Sequence, residues 1–228
     1  MIDAIILAGG FGTRLQSVVS DVPKPMAPIN GKPFLEILLK SLEKKGIRRV
    51  VLSVGYKAEL IMNYFGNTCG DIELVYEVED TPLGTGGAIK AALTKCNTEK
   101  VLVINGDTYL EFDMKKLQAE LANATQLTVI GVNIADASRY GRISTSGGLI
   151  SSFNEKDGIP TSGLINSGHY VLPKNFFNGF VFPEKFSFET ECLEKICKKI
   201  TINLFEAKGM FLDMGTPEDY KKASTIFR

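Results

Sequence analysis

The sequence predicts an α/β fold in which a parallel sheet is covered by helices on both faces. Short apolar runs alternate with segments of helical apolar spacing over roughly the first 130 residues, the pattern of strand–helix–strand units. The first apolar run ends in a glycine cluster, and the strongly apolar run 100–105 ends in Gly106-Asp107. Ligands bind at the carboxyl ends of strands in such sheets, so both positions are candidate functional sites.

The first half of the chain is predicted element by element from apolar spacing and turn residues. Residues 33–45 carry Phe34, Leu35, Leu38, Leu39 and Leu42 at helical spacing, and Gly46 ends that helix. Residues 18–29 are irregular because three prolines interrupt them. The remaining predictions are strands at 3–8, 49–54, 72–78, 100–105 and 127–133, helices at 58–65, 88–93 and 114–122, and a turn-rich loop at 80–87.

The second half of the chain changes character from the strand–helix alternation of the first. Residues 141–153 alternate around Gly147-Gly148, as a hairpin does. Pro217 suits the first position of a terminal helix that Thr216 caps. The other predicted elements are strands at 164–172, 200–206 and 210–214 and an amphipathic helix at 188–199.

Composition excludes several classes of partner. The 228 residues are 44% hydrophobic, Lys+Arg and Asp+Glu are equal at 26 each, and the pI is about 6.6. This balance argues against a nucleic-acid polymer or an anionic membrane as the partner, so any phosphate site must be local. No apolar run approaches the roughly 20 residues of a membrane span, and no signal peptide is apparent, so we expect a cytoplasmic protein. The four cysteines lack metal-ligand spacing and are expected to be reduced thiols.

The segment Leu7-Ala8-Gly9-Gly10-Phe11-Gly12-Thr13-Arg14-Leu15 is a candidate phosphate-binding loop. Its glycines let the backbone turn sharply and present N–H groups to one anion, and Arg14 adds a planar cation. It is not a Walker A motif, because no Lys-Ser/Thr pair follows. It is not the dinucleotide fingerprint either, because Leu15 stands at the third glycine position. The alternative is a purely structural turn.

Three charged residues are candidates for metal and phosphate chemistry. Lys24 lies between Pro23 and Pro25, which restrict the backbone around it, although an ordinary surface lysine is the alternative. Asp107 and Asp213 each follow an apolar run, where two carboxylates can share one Mg²⁺; loop capping is the alternative for Asp107.

Other segments are less specific. The small residues of Gly84-Thr85-Gly86-Gly87-Ala88 would let a base or ribose lie against the backbone, or would form a glycine-rich helix start. Glu155-Lys156 by itself is an ordinary solvated charge pair. His169 is the single histidine, which excludes mechanisms that need two, and is interpreted as a packing or sugar-shaping residue.

Taken together, these motifs resemble those of the sugar-1-phosphate nucleotidylyltransferases, in the short form that lacks a C-terminal β-helix. The resemblance begins with the glycine loop and Pro23-Lys24-Pro25. It continues along the whole chain through Pro82-Leu83-Gly84-Thr85-Gly86-Gly87-Ala88, Asn105-Gly106-Asp107, Tyr140-Gly141, Phe153-Asn154-Glu155-Lys156, Asn166-Ser167-Gly168 and Asp213-Met214-Gly215-Thr216-Pro217.

The resemblance implies a Rossmann-like three-layer sandwich with a mostly parallel mixed sheet. It implies a single domain over 1–228, with a nucleotide-binding half at about 1–135 and a sugar-phosphate-binding half at 136–228. It also implies a Mg²⁺-dependent attack of a sugar 1-phosphate on the α-phosphorus of a nucleoside triphosphate, which needs positioning and charge neutralisation more than a covalent nucleophile. The expected partners are these two small-molecule substrates, and a homodimer is possible.

The resemblance also implies roles for individual residues. The catalytic residues would be Arg14, Lys24 and Asp107, and the metal ligands would be Asp107 and Asp213. The sugar phosphate would contact Gly141, Glu155, Lys156 and Asn166. The nucleotide would contact Leu7, Ala8, Gly9, Gly10, Gly12, Thr13, Arg14, Glu79, Gly84, Thr85 and Asp107.

The branch of the family is indicated by residues 17–29, which look most like the D-glycero-α-D-manno-heptose 1-phosphate guanylyltransferases of bacterial surface polysaccharide synthesis. Glu79 suits guanine, because a carboxylate accepts from the adjacent N1–H and N2–H₂ donors, whereas carbonyls flank the N3–H of uracil. A solvated loop acid is the alternative for Glu79.

Other specificities and classes stay open. Within the family these are mannose-1-phosphate guanylyltransferase and N-acetylmuramate-1-phosphate uridylyltransferase. Outside it are a glycosyltransferase, which would typically hold its metal with an Asp-x-Asp motif, and a non-catalytic sugar-nucleotide sensor.

Overall fold

The computed structural model describes residues 2–10, 21–122, 126–154 and 158–227. The strands are β1 (Asp3–Leu7), β2 (Pro28–Ile29), β3 (Lys32–Pro33), β4 (Arg49–Val54), β5 (Thr68–Cys69), β6 (Ile72–Val78), β7 (Lys100–Asn105), β8 (Thr108–Leu110), β9 (Thr128–Ile134), β10 (Arg142–Ser146), β11 (Leu149–Asn154), β12 (Gly163–Pro173), β13 (Asn203–Ala207) and β14 (Phe211–Asp213). The α-helices are α1 (Phe34–Lys44), α2 (Ala58–Phe65), α3 (Gly84–Leu93), α4 (Met114–Leu121), α5 (Glu194–Ile196) and α6 (Pro217–Ile226).

Ten of these strands form one sheet in the order β10-β11-β13-β9-β12-β7-β1-β4-β6-β5. Strands β6, β4, β1 and β7 are parallel neighbours, and β9 and β13 are parallel to each other. Strand β12 lies antiparallel between β7 and β9. The predicted mostly parallel mixed sheet is therefore confirmed for its central strands, and strands from both halves of the chain share it.

The hydrophobic core lies in two clusters, one on each face of the sheet. Successive strand residues point to opposite faces, so Ile6 of β1 joins one cluster and Ile5 joins the other. The first cluster includes residues of α1, α4 and α6, and the second includes residues of α3 and of the segment that begins at Phe188. Helix, sheet and helix thus form the three layers that the sequence analysis expected.

Two predicted helix boundaries are wrong. Helix α3 begins at Gly84 rather than at residue 88, because its glycines accept close packing from the segment around Phe186. The predicted amphipathic helix at 188–199 begins as a π-helix, Phe188–Leu193, and continues as the short α5. The hairpin is confirmed, with Gly147 and Gly148 both at positive φ in its two-residue turn.

Elements near the site are held by specific caps and turns. Thr216 caps α6 as predicted, its Oγ1 accepting from the Asp219 N–H at 3.3 Å. Residues Lys24–Met26 form a 3-10 turn in which the Met26 N–H donates to the Pro23 carbonyl at 2.7 Å.

All four cysteines carry free thiols, and burial raises the pKa of Cys96 and of Cys192 to about 12. Among the helices in the described ranges, none has the length and apolarity that a membrane crossing requires.

Candidate active site

Four parallel strands end at the same edge of the sheet, and the first candidate site residues follow them. The Leu7 carbonyl accepts from the Gly106 N–H at 2.9 Å, and the Ala8 N–H donates to the Ser53 carbonyl at 2.7 Å. These bonds fix the end of β1 between the ends of β7 and β4. A Cβ on Gly106 would lie 2.4 Å from the Leu7 oxygen, so only glycine fits this crossing.

The glycine loop leaves this edge beside Glu79. A Cβ on Gly9 would lie 2.6 Å from Glu79 Oε1, whereas one on Gly10 would meet nothing within 4 Å. Gly9 therefore lies in close contact with the end of β6, whereas Gly10 has open space beside it. The predicted phosphate contacts Gly12, Thr13 and Arg14 lie outside the described residues.

Glu79 is held as an acceptor at the carboxyl end of β6. Its Oε1 accepts from Ser53 Oγ at 3.0 Å, and its Oε2 accepts from the Leu83 N–H at 3.1 Å. A carboxylate has about four acceptor positions, so these two bonds leave it able to accept from a ligand. Glu79 therefore lies beside the glycine loop, where its carboxylate can accept hydrogen bonds from two adjacent donors on a flat ring.

Lys24, Asp107 and Asp213 come together although they are far apart in sequence. Lys24 Nζ lies 2.5 Å from Asp107 Oδ2, and the lysine side chain is only 10% exposed. Strand β14 pairs with β8 so that Asp213 lies opposite Thr108, and the Met214 N–H donates to the Asp107 carbonyl at 2.8 Å. The two predicted metal ligands thus lie at the same end of the β8–β14 pair, Asp107 just before β8 and Asp213 as the last residue of β14.

The electrostatics of these carboxylates favour a cation. Burial raises the pKa of Asp213, the negative charge of Asp107 raises it further, and Lys24 opposes the shift. A bound divalent cation would relieve the same repulsion. No group of three or more His, Cys, Asp or Glu side chains suited to a metal occurs in the part of the chain that the structure describes. Two carboxylates suit a hard cation that takes its other ligands from water and phosphate oxygens, as Mg²⁺ does.

A cavity of about 470 Å³ continues from this edge into the second half of the chain. Its walls include both described residues of the predicted sugar-phosphate set, Gly141 and Asn166, whereas Glu155 and Lys156 lie outside the described residues. The cavity reaches Asn105, two residues before Asp107. Asn105 Oδ1 is buried and has no hydrogen-bond partner among the residues that the structure describes, so it is an acceptor without a protein donor.

Asn166 owes its position to a bulge in β12. The register between β12 and β9 shifts between Asn166 and His169, and Gly168 has a φ of +73°. Asn166 Oδ1 accepts from the Gly168 N–H at 3.0 Å, which fixes the side-chain amide. His169 beyond the bulge is buried, its Nδ1 lies 3.0 Å from the Ser167 carbonyl oxygen, and burial lowers its pKa to about 4. The histidine is therefore a neutral core residue at pH 7, in line with the packing interpretation.

A polar network on the cavity wall was missed by the sequence analysis. Asn166 Nδ2 donates to the Tyr170 hydroxyl at 2.8 Å, and that hydroxyl donates to Glu189 Oε1 at 3.2 Å. Burial raises the pKa of Tyr170, so the hydroxyl remains a donor. Glu189 lies in the π-helix, a form of helix that is frequent at functional sites.

The segment Gly84–Gly87 packs against the chain's own residues 184–188. A Cβ on Gly86 would lie 2.2 Å from Phe186 Cε2, and one on Gly84 would lie 2.5 Å from the Phe186 oxygen. The Thr85 hydroxyl donates to Glu189 Oε2 at 2.6 Å. This packing explains the small residues by itself, and contact of Gly84 and Thr85 with a base or ribose stays a prediction.

Comparison with known proteins gives a consistent result over the whole chain. The model of the nucleotidyl transferase family matches residues 3–227. The D-glycero-α-D-manno-heptose 1-phosphate guanylyltransferase of Aneurinibacillus thermoaerophilus is 44% identical over 97% of this chain and 96% of its own length. The protein of the same name from Campylobacter jejuni is 45% identical over 95% of this chain and 96% of its own. The crystal structure of HddC from Yersinia pseudotuberculosis complexed with GMP-PN has 41% identity, a TM-score of 0.89 and complete coverage of both chains.

Proposed function

The chain belongs to the nucleotidyl transferase family, and on that premise we propose that it transfers GMP from GTP to D-glycero-α-D-manno-heptose 1-phosphate. The products are the GDP-activated heptose and pyrophosphate. The observation that carries the choice of sugar is the 44% identity to a relative of that name, over 97% of this chain and nearly all of the relative. Relatives named for mannose 1-phosphate are more distant.

The reaction forms a bond between a phosphate oxygen of the sugar 1-phosphate and the α-phosphorus of GTP. The bond from that phosphorus to the bridging oxygen of pyrophosphate breaks in line. The attacking phosphate is already anionic near pH 7, so no general base or covalent nucleophile is required. The main task of the protein is to bring two polyanions together and neutralise them.

Lys24 and the two carboxylates supply this neutralisation in the proposal. The Lys24 ammonium is held with little exposure beside Asp107, and in the proposal it stabilises charge at the reacting phosphates. Asp107 and Asp213 would hold Mg²⁺, which when bound neutralises phosphate oxygens and favours departure of pyrophosphate. Lys24 and the cation would share Asp107, so the Lys24–Asp107 contact is the one that a bound cation would weaken.

In the proposal, the two substrates lie on either side of the charged centre, which consists of Lys24, Asp107 and Asp213. The GTP phosphates contact Gly9, Gly10 and the loop residues Gly12, Thr13 and Arg14, and Glu79 accepts from guanine. The sugar 1-phosphate occupies the 470 Å³ cavity, where Gly141 and Asn166 meet its hydroxyls. Glu155 and Lys156 complete that half in the proposal. Both substrates are small molecules of the cytoplasm, and a homodimer stays a prediction that light scattering tests.

The experiment that tests the function is pyrophosphate release from each of four nucleoside triphosphates paired with a panel of sugar 1-phosphates. The panel contains the α-D-manno-heptose, mannose, glucose and N-acetylmuramic acid 1-phosphates. We expect the highest kcat/KM with GTP and the heptose. Faster release from UTP or dTTP contradicts the choice of base, and a preference for mannose contradicts the choice of sugar. Release of nucleoside diphosphate indicates a glycosyltransferase, and binding without turnover indicates a sensor.

A further inference from the structure

We propose that Thr85 is a positioning residue for the sugar-phosphate cavity, because its hydroxyl orients Glu189 in the cavity wall. The inference rests on the proposed function and deepens it. Thr85 lies at the start of α3 in the nucleotide half, and Glu189 lies in the π-helix 104 residues later. Their 2.6 Å hydrogen bond therefore joins the two halves of the site.

The Thr85 hydroxyl both donates a hydrogen bond to the π-helix and accepts one from it. A threonine hydroxyl has one proton to donate, and here Glu189 Oε2 accepts it. The same oxygen accepts from the Phe188 N–H at 2.8 Å, which fixes the first turn of the π-helix. A nucleotide in the neighbouring half would therefore meet the Thr85 backbone, while the side chain serves the cavity.

Glu189 is held between donors that come from three parts of the chain. Its Oε2 accepts from Thr85 and from Ser187 Oγ at 3.2 Å, and its Oε1 accepts from the Tyr170 hydroxyl. Tyr170 in turn accepts from Asn166 in the same wall. A carboxylate accepts about four hydrogen bonds, so these three leave one for a hydroxyl in the cavity. The direction of that remaining acceptor depends on where Thr85 holds the carboxylate.

Loss of the hydroxyl should leave the segment docked. The Gly86 N–H donates to the Phe186 carbonyl at 2.9 Å, and the Phe186 N–H donates to the Leu83 carbonyl at 3.0 Å. The Phe186 side chain is buried against Gly86 as well. These contacts do not involve the Thr85 side chain, so they remain in an isosteric Thr85→Val variant, which loses only the two bonds of the hydroxyl, to Glu189 and from the Phe188 N–H.

The experiment compares steady-state pyrophosphate release by the wild type, Thr85→Val, Thr85→Ser and Thr94→Val, with each substrate varied in turn. Thr94 is a matched control, because it lies just after the other end of α3 and its hydroxyl donates to the Ala91 carbonyl at 2.7 Å. We expect Thr85→Val to raise the KM for the sugar 1-phosphate about tenfold, as for loss of a hydrogen bond to a charged group. The KM for GTP should stay within about twofold, and Thr85→Ser and Thr94→Val should resemble the wild type.

A double-mutant cycle with Glu189→Gln identifies the route of the effect. If Thr85 acts through Glu189, the double variant has no higher KM for the sugar 1-phosphate than Glu189→Gln alone. Additive effects, an increase in the KM for GTP, or no change in Thr85→Val would each overturn the inference. Failure of the proposed function is seen separately, as a wild-type protein that releases no pyrophosphate with GTP and any sugar 1-phosphate. A Thr85→Val protein with a lowered melting temperature but unaltered KM values assigns Thr85 a structural role and overturns the inference.

Discussion

The contact between Lys24 and Asp107 gives the most direct test of the proposed chemistry. Methionine matches the length of lysine without its charge, so Lys24→Met removes the cation with little change in packing. In the wild type, Lys24 Nζ lies 2.5 Å from Asp107 Oδ2, and Asp213 is close enough for the Asp107 charge to raise its pKa. The variant therefore leaves two adjacent carboxylates without this cation.

Two opposite effects follow from that change. Loss of a cation that stabilises the transition state should lower kcat by about 10²- to 10³-fold, the effect of removing one such contact. The affinity for Mg²⁺ should rise, because the metal no longer competes with an ammonium group for Asp107. A hydrogen bond between charged groups contributes about 1.5 to 3 kcal/mol, so the half-saturating Mg²⁺ concentration should fall about tenfold or more.

The assay is pyrophosphate release as a function of Mg²⁺ concentration, with calorimetric titration of Mg²⁺ into the free protein. Lys40→Met is the matched control: Lys40 Nζ also lies 2.5 Å from a carboxylate, Glu36 Oε1, but on the exposed side of α1. Exposed pairs of this kind contribute about 1 kcal/mol or less, so this variant should keep its kcat and its Mg²⁺ dependence. Normal kcat in Lys24→Met, or a weaker affinity for Mg²⁺, would refute the catalytic role.

Three further predictions test the choice of base, the packing of α3 against Phe186 and the buried histidine. Glu79→Gln places donors beside the N1–H and N2–H₂ of guanine and should lower the preference for GTP over ITP in kcat/KM about tenfold; an unchanged ratio excludes the contact. Gly86→Ala puts a Cβ 2.2 Å from the Phe186 ring and should lower the free energy of unfolding in urea by about 1–3 kcal/mol, whereas Gly179→Ala, in open space, should not; equal effects contradict the packing. His169 has its pKa lowered to about 4, so its neutral form stabilises the fold above the unfolded-state pKa of about 6.5, and this contribution is lost as pH falls toward 4. Between pH 7 and 5 the wild type should lose about 2 kcal/mol more stability than His169→Gln, and parallel pH profiles would contradict this.

The charged centre was predictable from sequence because the fold makes its geometry nearly obligatory. Residues that follow parallel strands meet at one edge of the sheet, so an acid directly after an apolar run can be located before any contact is known. The end of β7 at Gly106-Asp107 followed this rule, as did the end of β1. Asp213 was found in the same way, although its strand β14 belongs to a separate two-stranded sheet with β8.

The polar wall of the cavity was not predictable in this way. Apolar spacing over residues 188–199 predicted an ordinary amphipathic helix, and nothing in that spacing indicates the π-helix that carries Glu189. The small residues after Pro82 were interpreted either as a contact for a base or ribose or as a glycine-rich helix start. Helix α3 does begin at Gly84, and Phe186 of the same chain occupies much of the space that the glycines leave. Glycines in a motif show that something approaches the backbone closely, but they do not identify what approaches.

The direction of β12 brings residues from both halves of the chain to one edge of the sheet. A parallel strand at this place would carry its amino-terminal residues to the opposite edge, whereas antiparallel β12 brings its early residues beside the end of β7. Asn166 then lies near Asn105, and a Cβ on Gly168 would lie 2.5 Å from Asn105 Nδ2. The bulge after Asn166 frees two residues from the ladder with β9 at the same level. The sequence pattern predicts this strand but not its direction, and the direction is what places the cavity proposed for the sugar 1-phosphate close to Asp107.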